Sequence, residues 1–219
     1  VRKSAETKKY SVLMSLYKKE NPEYLKSSID SMLNQSVKPD EIVMVEDGPL
    51  TPELYAVLDS YPILHRVRNK TNLGLGLALN AGLKECRNEL VARMDTDDIA
   101  REDRFERQLA LFENNPDLDI CGSHIKEFTE DPERTTSIRK VPIEEKEIYK
   151  YQKRRDSFNH MTVMYKKSAV LEAGNYRHAL LMEDSLLWVN MMRNGVRCAN
   201  VDDYLVYVRT GIDMFQRRG

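Results

Sequence analysis

An α/β fold with a mostly parallel central sheet flanked by helices is predicted by three features of this chain. Short apolar runs alternate with helical segments from Tyr10 to Asn114. Several of these runs are continuously apolar, as expected of strands covered on both faces. The polar and acidic residues fall just beyond their C-terminal ends, where open α/β sheets bind ligands.

Val1 to Lys9 is a polar lead-in, and Tyr10 to Tyr17 reads as the first buried strand. Asn21-Pro22 starts a helix, with Asn as N-cap and Pro at the first helical position, and Leu25, Ile29, Met32 and Leu33 mark its buried face. Lys38-Pro39-Asp40 breaks the chain before a second strand, Glu41 to Val45, which ends in Glu46-Asp47-Gly48-Pro49. A helix from Pro52 to Ser60, a short strand from Leu64 to Val67 and a helix from Leu75 to Cys86 follow. In the last of these, Ala78, Ala81 and Gly82 allow close packing. Leu90 to Met94 is the fourth strand, and Arg101 to Asn114 a charged amphipathic helix.

Beyond this point the alternation decays. Leu118 to Ile125 reads as a fifth strand, Glu127 to Lys140 as a loop or hairpin, and Glu144 to Arg155 as a helix. Thr162 to Tyr165 is strand-like, Ser168 to Ala173 is a short helix capped by Gly174, and Ser185 to Arg193 is helical until Gly195. Val196 to Val201 and Tyr204 to Val208 read as two closing strands. The whole is expected to be one domain, 1–219, with a first half over about 10–125 and a second over about 126–211.

The 219 residues are 41% hydrophobic and 32% charged, a globular balance, and the formal net charge of −1 gives no ground for nucleic acid as a partner. Cys86, Cys121 and Cys198 are scattered, without metal-type spacing, which fits a reducing compartment. No apolar run is long enough to span a membrane, and the N-terminus has no signal-peptide core. The first residue is a valine and Met214 to Gly219 is not an obvious stop, so the chain is expected to be C-terminally truncated.

Asp95-Thr96-Asp97-Asp98 carries three carboxylates within four residues. Crowded acids repel, and burying them unpaired is costly, so a divalent cation, a basic side chain or both are expected beside them. Oxygen-only ligands favour Mg²⁺ or Mn²⁺ over zinc. The alternative is a solvated turn with Asp98 or Asp103 capping the next helix. A calcium-binding EF-hand loop is excluded, because Ile99 and Ala100 stand where a ligand and a glycine are needed. An Asp-x-Asp phosphatase with Asp95 as nucleophile stays open, although its motif belongs on a first strand.

Ser15, Tyr17, Glu46, Asp47, Arg66 and Arg68 join these acids at the strand ends. Asn72-Leu73-Gly74-Leu75-Gly76 offers backbone N–H groups at a helix start, suited to a phosphate or simply to a close crossing. It is not a dinucleotide fingerprint, since Leu79 stands where the third glycine belongs. Glu183-Asp184 opens a later helix, as a dipole-offsetting pair or as a general base facing the rim. His160 reads as a structural, acceptor, phosphate or metal contact, and Trp188 as core or pocket wall.

Taken together, Val45-Glu46-Asp47-Gly48-Pro49, Asn72-x-Gly74, Ala78-x-Asn80-x-Gly82, Arg93-x-Asp95-x-Asp97-Asp98, Asn159-His160 and Glu183-Asp184-x-x-x-Trp188 make the chain resemble the family 2 glycosyltransferases. These are inverting enzymes of the GT-A fold, a Rossmann-like nucleotide-diphospho-sugar transferase architecture, and the subset with these motifs resembles bacterial enzymes of capsule, exopolysaccharide and lipopolysaccharide assembly. The resemblance implies a nucleotide-sugar-binding first half and an acceptor and catalytic-base second half.

It implies that Asp95, Asp97 and Asp98 hold Mn²⁺ or Mg²⁺ and, with Thr96, the ribose-diphosphate of a nucleotide-sugar donor, most commonly a UDP-sugar. Ser15, Tyr17, Glu46, Asp47, Asn72, Gly74 and Asn80 would line the donor site, with Arg93 a compensating charge near the diphosphate. Asp184 matches the base, supported by Glu183, and His160 and Trp188 are candidate acceptor or phosphate contacts. The partners implied are a sugar nucleotide and a glycan or lipid-linked saccharide acceptor. The location implied is the cytoplasm or the inner face of the membrane, through residues beyond the visible chain. A degenerate, inactive sugar-nucleotide-binding domain is the non-enzymatic alternative.

Overall fold

A computed structural model describes residues 9–211. The expectations for the polar lead-in and for the chain end lie mostly outside these residues. Four strands, β1 (Tyr10–Leu16), β2 (Glu41–Glu46), β3 (Leu64–Arg68) and β4 (Leu90–Arg93), pair in parallel in the spatial order β3-β2-β1-β4. The helices between them are α1 (Pro22–Leu33), α2 (Pro52–Asp59) and α3 (Leu75–Glu85), and α4 (Arg104–Asn114) follows β4. The Asn21 side chain caps α1 as expected, its Oδ1 accepting from the Glu23 N–H at 2.8 Å.

Strand alternation divides the core in two. Val12, Met14, Ile42 and Met44 face α1, α2 and α4, packing on Leu25, Ile29, Leu54, Phe105 and Leu109. Leu13, Val43 and Val45 face the other way, onto Leu79 and Leu83 of α3. Both faces of β1 and β2 are therefore covered, which is why Val12 to Met14 and Ile42 to Val45 are uninterrupted apolar stretches. Gly82 is the closest point of this packing. A Cβ there would lie 2.4 Å from Val45 Cγ2 and 2.5 Å from Leu13 Cδ1.

The second half departs from the expected parallel continuation. The strand β6 (Ile120–Phe128) does not neighbour β4. Instead β8 (Met164–Lys166) inserts between them, antiparallel to both. A 3₁₀ turn, His160–Thr162, replaces the start of the expected strand. The hairpin reading of 127–140 is met by β7 (Ser137–Arg139), antiparallel to β6. The two closing strands are one, β9 (Cys198–Arg209), parallel to β6 with register shifts near His124. Its far edge pairs with β5 (Ile99–Ala100), a two-residue strand immediately after the acidic cluster. The remaining helices are α5 (Glu145–Gln152), α6 (Lys167–Glu172) and α7 (Glu183–Arg193), with Gly174 and Gly195 at positive φ just past the last two. Among the described residues, no helix is long and apolar enough to cross a membrane.

Candidate active site

A cleft of about 490 Å³ opens over the C-terminal ends of β1 and β4, and the starts of α3 and α7 form part of its wall. It brings together Ser15, Tyr17, Asp47, Asn72 and Gly74 from the first half with His160, Glu183 and Asp184 from the second. Arg93, Asp95, Thr96, Asp97 and Asp98 also border it.

The acidic cluster sits where a buried strand ends. Oxygens of Asp95, Asp97 and Asp98 lie within 4.8 Å of one another. Asp98 is 2% exposed, and its Oδ1 accepts the backbone N–H of Arg209 at 2.8 Å. Burial, and then the charges of Asp97 and Asp95, push the Asp98 carboxyl well above the usual carboxylate range. The backbone beneath is fixed from two sides. Ser28 on α1 donates to the Asp95 carbonyl at 2.7 Å, and the Arg209 guanidinium reaches the Asp97 carbonyl at 3.2 Å. That guanidinium lies 3.8 Å from the Tyr24 ring centroid and 4.5 Å from that of Phe128. The cap alternative is met in position only: Asp103 is the N-cap residue of α4, but its side chain makes no capping hydrogen bond and pairs with Arg101 and Arg107.

Arg93 supplies the basic partner expected beside the acids, through an ion pair with Asp95. Burial works against its charge, and Asp95, with smaller contributions from Tyr176 and Asp98, more than offsets that. Its Nε and Nη1 are buried without a hydrogen-bond partner. Behind it, the wholly buried Arg104 donates to the Arg93 carbonyl at 2.8 Å, and burial lowers its pKa to about 9. In the sequence Arg104 is one of several charges on an amphipathic helix, and only the fold shows it to be buried. Three oxygens this close, one on a carboxylate whose burial disfavours its charge, make a hard donor set that fits Mg²⁺ or Mn²⁺.

Asp47 organises the loop between β3 and α3. Its Oδ1 accepts from the Asn69 side chain and the Leu73 N–H, and its Oδ2 from the Gly74 N–H, each at 2.9 Å. The N–H groups of Leu73 and Gly74, read as open to a phosphate, thus already have a partner. Gly48 turns the chain at φ +87, and a Cβ there would meet Asn72 N at 2.7 Å, so the loop needs glycine.

Three expected contacts stand away from the cleft. Glu46 is 1% exposed and its carboxylate is held by Arg66 and Arg68 of β3. The two arginines flank it because β3 pairs Met44 with Arg66 and Glu46 with Arg68. The Asn80 side chain donates to the Tyr176 carbonyl at 2.7 Å, tying α3 to the segment before α7. Trp188 is fully buried, edge-on to Phe158 and His160.

Glu183 and Asp184 occupy the first turn of α7. Burial raises both carboxyls above their ordinary range; for Asp184 the Ser185 N–H at 2.8 Å opposes the shift and Asp156 adds to it. His160 is nearly buried, with Nε2 3.1 Å from the Tyr176 hydroxyl and Nδ1 3.9 Å from Asp184 Oδ2. Burial and Arg93 depress its pKa well below the usual imidazole value, so it is neutral at pH 7. Nothing local in the sequence marked Tyr176 or Asp156 as neighbours of this pair.

A model of the glycosyl transferase family 2 matches residues 11–173. The chain belongs to that family. The glycosyltransferase is 45% identical over 213 residues to an uncharacterized glycosyltransferase of Haemophilus influenzae, covering 96% of this chain and 79% of that protein. It is 42% identical to the amylovoran biosynthesis glycosyltransferase AmsE of Erwinia amylovora, covering 95% and 79%. With an Escherichia coli UDP-Gal:alpha-D-GlcNAc-diphosphoundecaprenol beta-1,3-galactosyltransferase it shares 39% identity, covering 99% and 79%. In structure it is similar to Staphylococcus aureus TarS 1-349 in complex with UDP-GlcNAc, with a TM-score of 0.75 at 19% identity. That match covers 93% of this chain but only 59% of the TarS chain, and it shows the GT-A fold. The enzyme is thus a glycosyltransferase whose relatives include enzymes of bacterial polysaccharide biosynthesis, and the phosphatase and inactive-domain readings fall away.

Proposed function

We propose that this glycosyltransferase moves a sugar, with inversion at the anomeric carbon, from a UDP-sugar to a hydroxyl of a lipid-linked saccharide in polysaccharide assembly. One observation carries the proposal. A single cleft holds a clustered triad of carboxylates at a strand end and, on a separate helix, a half-buried aspartate whose carboxyl is raised above its ordinary range by burial.

Asp95, Asp97 and Asp98 would hold Mn²⁺ or Mg²⁺, which when bound offsets the negative charge of the donor's diphosphate and of the leaving nucleoside diphosphate. Asp184 takes the proton of the acceptor hydroxyl while that oxygen bonds to the anomeric carbon from the face opposite the diphosphate. The bond to the diphosphate breaks, and its electrons leave with the nucleotide. Burial of Asp184 strengthens it as a base, and the Ser185 N–H holds its orientation. The neutral His160 packs beside it, with Nδ1 3.9 Å from Asp184 Oδ2. Glu183, raised in the same way, adds a second acid to this wall. The buried free thiols Cys86, Cys121 and Cys198 fit work in the reducing cytoplasm, at the inner face of the membrane where a lipid-linked acceptor is presented.

A thermal-shift screen of nucleoside diphosphates and UDP-sugars, with and without Mn²⁺, tests the donor side. Stabilisation by a uridine nucleotide only with metal present is the expected result. Stabilisation by another base alone, or equal stabilisation without metal, would contradict it.

A further inference from the structure

Two residues singled out by the sequence, Asn80 and His160, have no chemical role in the transfer step, and the structure joins them through a third, Tyr176. Tyr176 is fully buried, and its carbonyl accepts the Asn80 side-chain N–H of α3 at 2.7 Å. Its hydroxyl lies 3.1 Å from His160 Nε2, with the two ring centroids 5.6 Å apart. The imidazole is held by its surroundings as well. His160 opens the 3₁₀ turn, in which the Thr162 N–H bonds the Asn159 carbonyl at 2.8 Å, and Trp188 stands edge-on to the ring at 5.8 Å between centroids. The second ring nitrogen, Nδ1, faces the base wall, 3.9 Å from Asp184 Oδ2. The other oxygen of that carboxylate, Oδ1, accepts the Ser185 N–H at 2.8 Å.

We propose that His160 is a positioning residue for Asp184, with Nε2 bonded to the Tyr176 hydroxyl and an Nδ1–H facing the Asp184 carboxylate, an inference that rests on Asp184 being the base. A neutral imidazole carries one N–H and one lone pair, and the partner of one nitrogen decides the state of the other. The Tyr176 hydroxyl could donate to Nε2 or accept from it. If it accepted, the lone pair of Nδ1 would face an ionised carboxylate, and the two would repel. With the hydroxyl donating, the Nδ1–H dipole faces Oδ2, and the chain from Tyr176 to Asp184 is complementary throughout. A second proton on the ring is opposed by burial and by the charge of Arg93. At 3.9 Å the contact is longer than a hydrogen bond, and contacts of a catalytic base commonly tighten only with substrate in place. Asp184 then has a donor for each oxygen, Ser185 N–H for Oδ1 and His160 for Oδ2. Rotation of the carboxylate is restricted on both sides, which is what a base needs from the group that orients it.

Long-range proton–nitrogen NMR of protein labelled at histidine reads the tautomer without turnover, and loss of one signal in His160→Asn identifies the ring. A neutral ring protonated at Nδ1 at pH 7 is the expected result. A ring protonated at Nε2 overturns the proposal, whatever the enzyme transfers. The consequence for the reaction is read in two variants, since asparagine places its amide nitrogen near the position of Nδ1 and glutamine near that of Nε2. In UDP release from a panel of UDP-sugars with Mn²⁺, water serving as acceptor, His160→Gln is expected to lower kcat by about 10- to 100-fold. His160→Asn, which restores a donor toward Asp184, should recover about tenfold of that loss, and both should keep the melting shift given by UDP and Mn²⁺. Equal kcat in the two variants, or a lower one in His160→Asn, overturns the proposal. Loss of the UDP and Mn²⁺ shift in both would assign the ring to the diphosphate and overturn it as well. Asp184→Asn measured alongside separates the two levels. A full rate in Asp184→Asn removes the base itself, whereas equal His160 variants beside a slow Asp184→Asn remove only the role of His160.

Discussion

Two groups of acids face each other across one cleft, and they are built in opposite ways. Asp95, Asp97 and Asp98 end a buried strand, close enough to repel, with their backbone fixed by Ser28 and Arg209 and one arginine pressed against Asp95. Glu183 and Asp184 begin a helix, half-buried, with a neutral histidine for a neighbour. Burial raises the Asp98 carboxyl as it raises that of Asp184, but three crowded carboxylates suit an added cation, whereas the pair on α7 suits a single proton. On the function proposed above, the same side-chain chemistry is divided into two roles by its surroundings.

The largest effect should come from separating those roles at Asp184. Asp184→Asn is expected to lower kcat by about 10²- to 10⁴-fold, the usual range for a lost general base, with the melting shift given by UDP and Mn²⁺ unchanged. A variant with full transfer rate would break the division. The raised Asp184 carboxyl also places the acid limb of the native kcat profile above the ordinary aspartate value of 3.8. Activity is full where Asp184 is ionised and is lost as pH falls through its raised pKa. A limb at or below 3.8 would show that burial does not tune this group.

A smaller effect is expected where the two halves touch. A Cβ at Gly76 would lie 2.3 Å from the Arg177 carbonyl and 3.0 Å from Glu183 Cβ, so Gly76→Ala should push the start of α7 outward. A displacement approaching 1 Å at the base costs up to about 10²-fold in kcat. Overpacking should also lower stability by about 1–3 kcal/mol. Steady-state kinetics and a melting curve would measure both, and an unchanged kcat would mean that the base does not depend on this contact.

The smallest effect has an unusual sign. Folding raises the Asp98 pKa, so the native state binds more protons than the unfolded chain and stability falls as pH rises above 3.8. Asp98→Asn, which keeps an oxygen to accept the Arg209 N–H, should therefore raise the melting temperature of the metal-free protein at pH 7. The shift should be about 2–4 °C per kcal/mol gained, and should vanish below the ordinary carboxylate pKa. A fall at pH 7 would mean that the charged form is already compensated.

The parallel half of the fold was legible because β1, β2 and β4 are runs covered on both faces, with the half-exposed β3 at the sheet edge, and the small residues of α3 announced their close packing. The antiparallel half was not, since β8 has three residues and β5 two, and their pairing depends on partners far along the chain. Of the acids of the candidate site, Asp95, Asp97 and Asp98 were legible by their crowding and their position beyond a strand end. Their neighbours were not. Arg104 looks like one more surface charge on an amphipathic helix, and Arg209 meets Asp98 across 111 positions. Glu46 misled for the converse reason, since only the register of β3 reveals the two arginines that hold it.

Titration calorimetry of UDP into the native protein, Asp184→Asn and Asp98→Asn, each with and without Mn²⁺, tests the division most directly. Native protein and Asp184→Asn should bind with the same affinity and only when the metal is present, whereas Asp98→Asn should lose most of that binding. Equal binding by all three proteins, or loss of binding in Asp184→Asn, would contradict it.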